Sequence, residues 1–153
     1  MVRVAQRCCR TSNVTSRFYV RKANGKLDYI APPTSDIVKC GEIWMCELPE
    51  NSGSVQSGLR PVLVISNDKN NEHSPILNII PMTTKINKRN LPCHVVLEDF
   101  KQYGLLETTT IMVEQTTSIN KSCLRFKIGK IDDAETLIRI CVAMKIQFPM
   151  LNI

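Results

Sequence analysis

Most of the chain alternates short apolar runs with polar breaks that carry glycine or proline, and its period changes only near the end. The pattern centres on GLRPVLVISND, residues 58–68, where Val62-Leu63-Val64-Ile65 is uninterrupted and largely β-branched. A strand with one wet face needs a polar residue at every second position, so this run predicts a strand over 61–66 buried on both faces. Pro61 has no N–H to give a sheet ladder. It is expected to open that strand, which sets Arg60 at the strand's mouth and outside the ladder. Further strands are expected over Glu42–Leu48 (entered through Gly41), Ile76–Met82, His94–Leu97 after Pro92, Thr108–Glu114 and Arg125–Ile128. Residues 49–58 read as a Gly/Ser-rich loop whose single apolar residue is Val55, and Asn67–Pro75 as a polar connection. Lys85-Ile86-Asn87-Lys88-Arg89 reads as a basic loop or frayed strand end, and Asn120–Cys123 as a capped short turn.

Near Asp132 the repeat becomes helical. Asp132 and Glu135 make a capping-box-like start, and Asp133 adds negative charge near the positive helix end. Leu137, Ile140, Cys141 and Met144 recur at helical spacing, Ile138 and Val142 widen the stripe, and Pro149 marks the limit. So wide a stripe calls for packing on the sheet, on a partner subunit, or on both. Several short strands and one terminal helix predict a small, mostly-β barrel with a C-terminal helix.

Residues 1–34 differ from the rest. SRFYVRK and KLDYI flank Asn24-Gly25, a strong two-residue turn signal, so either an appended hairpin or a disordered arm is expected. Pro32-Pro33 then separates this extension from a main domain over 35–153. Charge follows the same division. The extension holds seven of the twenty Lys/Arg and one of the fourteen acids, so the remaining thirteen basic and thirteen acidic residues cancel. A basic net charge of +6 therefore says little about whether the body binds nucleic acid. Seven cysteines, an odd number, follow no apolar leader, and no stretch approaches the length of a membrane span. Free, reduced thiols and a cytoplasmic location are expected, and Cys8-Cys9 lack nearby partners for a metal.

Candidate chemistry is sparse. No phosphate-binding glycine motif, zinc-protease motif or paired carboxylate is present. His73 lies in a polar loop, and His94 at a strand start suits a structural hydrogen bond. Cys93 beside His94 is set aside as a nucleophilic pair, because neighbours on a strand point to opposite faces. Arg60 and Thr83 are better placed, each at a strand end beside a flexible polar loop. A guanidinium offers bidentate, charge-assisted donors to phosphate, and a threonine adds a hydroxyl. Together they suit the phosphorane formed when a ribose 2′-hydroxyl attacks its own 3′-phosphate. The general base stays open among a substrate-side group, Arg60 itself and water.

From about Val38 to Met144 the chain resembles the MazF/PemK family of toxin endoribonucleases. The resemblance rests on Gly41-Glu42-Ile43-Trp44, the block Gly58 to Asn67, Ser74-Pro75, Pro81-Met82-Thr83, Leu91 to Val95, and Glu114-Gln115 followed by Ile119. It implies an SH3-like barrel forming a homodimer, with metal-independent cleavage of single-stranded RNA at a short sequence and no cofactor. The implied products are a 2′,3′-cyclic phosphate and a 5′-hydroxyl. Arg60 and Thr83 match the family's catalytic pair. Ser54 and Gln56 match polar contacts of the loop that closes over RNA, and Glu114 and Gln115 match groove-lining residues. Lys85, Lys88 and Arg89 would add positive charge to that groove, leaving the body's acids elsewhere. Where close relatives carry an acidic residue this chain has Val55, which points to a different base preference. The resemblance also implies an acidic, partly disordered MazE-like antitoxin, and a toxin–antitoxin complex able to bind operator DNA. The alternative, from a different class, is a CcdB-like gyrase poison, which uses the same barrel, catalyses nothing, and would depend on Met150–Ile153.

Overall fold

A computed structural model describes residues 19–21, 27–29, 37–85 and 91–152. The chain divides into two units, Met1–Asp36 and Ile37–Ile153. In the first, β1 (Tyr19–Arg21) pairs antiparallel with β2 (Leu27–Tyr29), Tyr19 opposite Tyr29 and Arg21 opposite Leu27. The Asn24-Gly25 turn expected between them lies outside the described residues.

The second unit runs β3 (Glu42–Leu48), β4 (Gly58–Val64), α1 (Asp68–His73), β5 (Ile76–Thr83), β6 (His94–Leu97), β7 (Thr109–Met112), β8 (Thr117–Asn120), β9 (Leu124–Lys130) and α2 (Ala134–Gln147). Its sheet is antiparallel throughout, ordered β6-β7-β5-β4-β3-β9, and β8 also pairs with β5. The outer strands β6 and β9 do not join, so the small barrel-like sheet stays open. No helix among the described residues is long and apolar enough to cross a membrane.

The centre of the sheet follows from β4. Val62 and Val64 point into one core with Trp44, Cys46, Leu48, Leu77, Ile79 and Ile119. Leu63 points into another, with Ile43, Ile80, Met82, Val95, Ile111 and Ile140. Two wet-excluded faces on one strand are what an unalternating apolar run requires. The strand's start differs from expectation. β4 already begins at Gly58, and Arg60 and Pro61 stand within it, opposite Cys46 and Met45 of β3. β5 joins β4 only from Val62, so Pro61 sits where β4 has a single neighbour and its missing N–H is tolerated. Arg60 is thus in a ladder with β3, not outside it.

Two glycines are set by close contact. Gly41 adopts a φ of +83°, donates to the Val64 carbonyl at 2.8 Å and accepts from Ile131 N at 2.9 Å, tying the ends of β4 and β9 together. A Cβ on Gly129 would fall 2.0 Å from the Tyr103 carbonyl oxygen, so β9 can approach that turn only without a side chain there.

The terminal helix is capped one residue later than expected. Asp133, not Asp132, accepts from Thr136 N at 2.8 Å. The Tyr103 hydroxyl lies 2.7 Å from Asp133 Oδ2 and 2.8 Å from Thr136 Oγ1, joining the cap to the core. α2 buries only Thr136, Ile140 and Ala143, with Met144 partly covered. Leu137, Ile138, Cys141 and Val142, part of the predicted stripe, face outward, as do Ile146, Phe148, Met150 and Leu151 beyond them. One chain therefore covers a narrow strip of this helix and leaves a broad apolar face open.

Smaller differences share one cause. The Asn67–Pro75 connection contains α1, capped by Asn67 accepting from Asn70 N at 2.8 Å, and β8 was not expected at all. Each buries a single side chain, Asn71 and Ile119 respectively, so neither shows an apolar period. The expected strand over 108–114 stops at Met112 and tightens into a 3₁₀ turn over Val113–Gln115. That turn re-aims Glu114 and Gln115.

Candidate active site

Three pieces of chain meet near the start of β4. The loop before it folds back onto Arg60. The guanidinium donates from Nε and Nη2 to the Ser57 carbonyl, at 2.9 and 2.6 Å, and from Nη1 to Gln56 Oε1. Three of its five N–H groups are thereby engaged, leaving two of the fork for another acceptor. Partial burial pulls the guanidinium below its ordinary pKa, yet an arginine stays cationic at neutral pH.

Gln115, turned by the 3₁₀ segment, holds the same loop from the other side. Its Oε1 accepts from Gln56 N and its Nε2 donates to the Ser54 carbonyl, both at 3.3 Å. One amide thus satisfies a donor and an acceptor of a loop that lacks regular backbone partners. Ser54, Gln56, Arg60 and Gln115 form one connected group.

Thr83 closes β5. Val62 of β4 pairs with Pro81 of β5, the last bridged pair at this end. Arg60 and Thr83 each lie two residues beyond it, so side-chain alternation puts both on the same side of the sheet. Thr83 also pairs with Thr110 of β7, is 9% exposed, and accepts from Lys85 N at 3.2 Å through its hydroxyl. The rigidity here comes from the pairing with β7 and from burial. Lys85 is exposed, while Lys88 and Arg89 lie outside the described residues. Val55, at the tip of the loop, is 55% exposed.

Glu114 turns away from this group. Its Oε1 lies 2.7 Å from His94 Nε2, and its Oε2 accepts from Cys93 Sγ at 3.6 Å. The structural hydrogen bond expected of His94 is present. The geometric reason for setting the Cys93–His94 pair aside does not hold, because β6 begins at His94 and Cys93 belongs to the turn before it. Strand alternation does not govern residues before the strand, and both side chains reach one carboxylate. Burial first, then the charge and hydrogen bond of Glu114, push the Cys93 thiol up. The other histidine, His73, is exposed at the end of α1. Among the described residues, Cys40, Cys46, Cys93, Cys123 and Cys141 are all free, and burial pushes Cys46 up to about 12.

A family model described as the PemK-like, MazF-like toxin of type II toxin–antitoxin systems matches residues 39–147. The chain belongs to this family. It is 38% identical over 116 residues to the endoribonuclease EndoA of Bacillus subtilis, a match spanning 76% of this chain and 98% of that protein. Among solved structures, the MazF of Deinococcus radiodurans superposes with a TM-score of 0.62 at 18% identity, covering 78% of this chain and all of that one. The Mycobacterium tuberculosis toxin MazF-mt6 superposes at 0.59 with 21% identity, over 71% and 96% of the two chains. A mycobacterial endoribonuclease solved with its cognate antitoxin reaches 0.58 at 20% identity, over 74% and 96%. These matches confirm the mostly-β MazF fold with its C-terminal helix and do not favour the gyrase-poison alternative. Residues 1–38 fall outside the stretch that the PemK/MazF model matches.

Proposed function

We propose that this PemK/MazF toxin is a sequence-specific endoribonuclease that cuts single-stranded RNA without a metal. Arg60 and Thr83 carry the reaction. The ribose 2′-hydroxyl attacks the adjacent 3′-phosphate and loses its proton, the bond to the 5′-oxygen breaks, and that oxygen leaves protonated as a 5′-hydroxyl. The other product keeps the phosphorus as a 2′,3′-cyclic phosphate. Arg60 offers two N–H groups to the non-bridging oxygens as charge gathers on them, and the Thr83 hydroxyl donates to the same phosphate. The observation that carries this reading is their shared side of adjacent strands, two residues past the last β4–β5 pair. Ser54, Gln56 and Gln115 form the loop-side wall, Lys85, Lys88 and Arg89 supply positive charge, and Glu114 faces the groove when freed from His94. Val55 is the position where base preference departs from the relatives.

The open apolar face of α2, including Leu137, Ile138 and Val142, supports a homodimer in which a second copy covers it. An acidic antitoxin competing for the groove, operator binding by the joint complex, and a cytoplasmic location complete the proposal. The decisive experiment incubates purified protein with a long single-stranded RNA in EDTA and sequences the fragment 5′ ends. Cleavage at a recurring short motif, lost in Arg60→Ala, is expected. Intact RNA, or equal cutting by the variant, overturns the assignment.

A further inference from the structure

The cluster behind Gln115 has the composition of a metal site. Cys93 Sγ, His94 Nε2 and a Glu114 carboxylate oxygen all lie within 4.8 Å of one another. Cys93 is 8% exposed and the His94 side chain 6%, whereas the Glu114 side chain, at 26%, opens the cluster to solvent. Thiolate, imidazole and carboxylate together suit a zinc-class ion, and three protein ligands leave a fourth position for water.

The distances fit. Ligands around a tetrahedral zinc, at about 2.3 Å for sulfur and about 2.0–2.1 Å for nitrogen and oxygen, stand roughly 3.5 Å apart for S···O and 3.3 Å for N···O. Cys93 Sγ stands 3.6 Å from Glu114 Oε2 and His94 Nε2 2.7 Å from the other oxygen, Oε1, so binding through one oxygen needs a small turn of the carboxylate and roughly half an ångström of lengthening at His94. Each ligand has a fixed origin: His94 pairs with Met112 across β6–β7, Val113 N donates to the Cys93 carbonyl at 3.3 Å, and Glu114 is the middle residue of the 3₁₀ turn.

We propose that Cys93, His94 and Glu114 bind one zinc-class divalent ion, which fixes Glu114 away from the groove and slows RNA cleavage. The thiol proton passes to solvent as sulfur coordinates. The ion takes no part in cleavage itself. The braking role rests on the reading that Glu114 lines the RNA groove; the binding site does not.

The test uses the full chain, reduced and freed of metal. Cobalt(II) should give wild type a near-ultraviolet thiolate charge-transfer band that Cys93→Ser lacks and that zinc abolishes. Zinc affinity should fall about tenfold or more in Cys93→Ser and again in His94→Gln. Melting both variants in EDTA shows that they fold, and His94→Gln, which keeps the thiol, decides the matter should Cys93→Ser fail. No band in wild type, or equal zinc affinity in the folded variants, overturns the site. In EDTA, Cys93→Ser should cut RNA as fast as wild type, and saturating zinc should slow wild type alone by several-fold. Zinc bound with cleavage unchanged overturns the brake. RNA left intact in EDTA overturns the nuclease reading and leaves the cobalt result to stand by itself.

Discussion

Arg60 and Thr83 occupy matching places on adjacent strands, yet they are held in opposite ways. Thr83 is fixed by the sheet: it pairs with Thr110 of β7, and its hydroxyl is buried against its own following backbone. Arg60 also has one strand neighbour, β3, but its head is held by a loop through Ser57 and Gln56. One wall of the site is scaffold and the other is cover. A scaffold donor keeps its aim whether or not a ligand is present, while a covered donor offers only part of its fork until the loop lets go.

Several substitutions bear on that contrast. Arg60→Ala should cut the single-turnover rate by on the order of 10³, since it removes a cation and a two-pronged donor. Thr83→Val keeps the shape and loses one donor, for a drop on the order of 10². Equal losses, or a larger one at Thr83, would reverse the ranking of the two walls. Gln115→Ala removes two loop hydrogen bonds, each worth about 1 kcal/mol net. It should change apparent RNA affinity by roughly tenfold or less and kcat much less, as measured by steady-state kinetics; a kcat collapse would make the cover part of the chemistry.

Away from both walls, Asp133→Ala should lower stability by about 1 kcal/mol in urea and leave the folded enzyme's rate unchanged. The Tyr103 hydrogen bond, then the Thr136 N–H, hold the Asp133 carboxyl below its usual range. A depressed acid adds stability above its unfolded-chain pKa and loses it as pH falls through the lower folded value, so wild type and Asp133→Ala should converge in acid. Deleting residues 1–34 is expected to have the smallest effect, leaving the cleavage rate within about twofold in the same RNA assay.

The sequence was most legible where packing alone decides. β3 and β6 lie where their short apolar runs and the flanking Gly41 and Pro92 put them, and β4 is buried on both faces as its apolar run requires. It was least legible where one contact decides. Ile119 alone marks β8, and α1 is a six-residue polar helix whose buried residue is an asparagine. The strand-opening role expected of Pro61 assumed neighbours on both sides, and the sheet supplies one at that level. Gln56 and Ser54 came from the family resemblance alone, whereas Arg60 could be singled out by residue type and its place beside a polar loop. What Gln115 and Glu114 touch could not, because a 3₁₀ turn at Val113 splits two adjacent side chains between the loop and the Cys93–His94 corner.

The hold of the loop on Arg60 also has a consequence for populations. A ligand that needs more than the two open N–H groups binds only the fraction of molecules whose loop has let go, and its apparent dissociation constant rises as that fraction shrinks. Every 1.4 kcal/mol or so favouring the closed form weakens apparent affinity about tenfold, without altering any contact in the bound state. Sequence changes at Ser57 or Gln56, which need never touch the scissile phosphate, would then set how much RNA it takes to switch this molecule on.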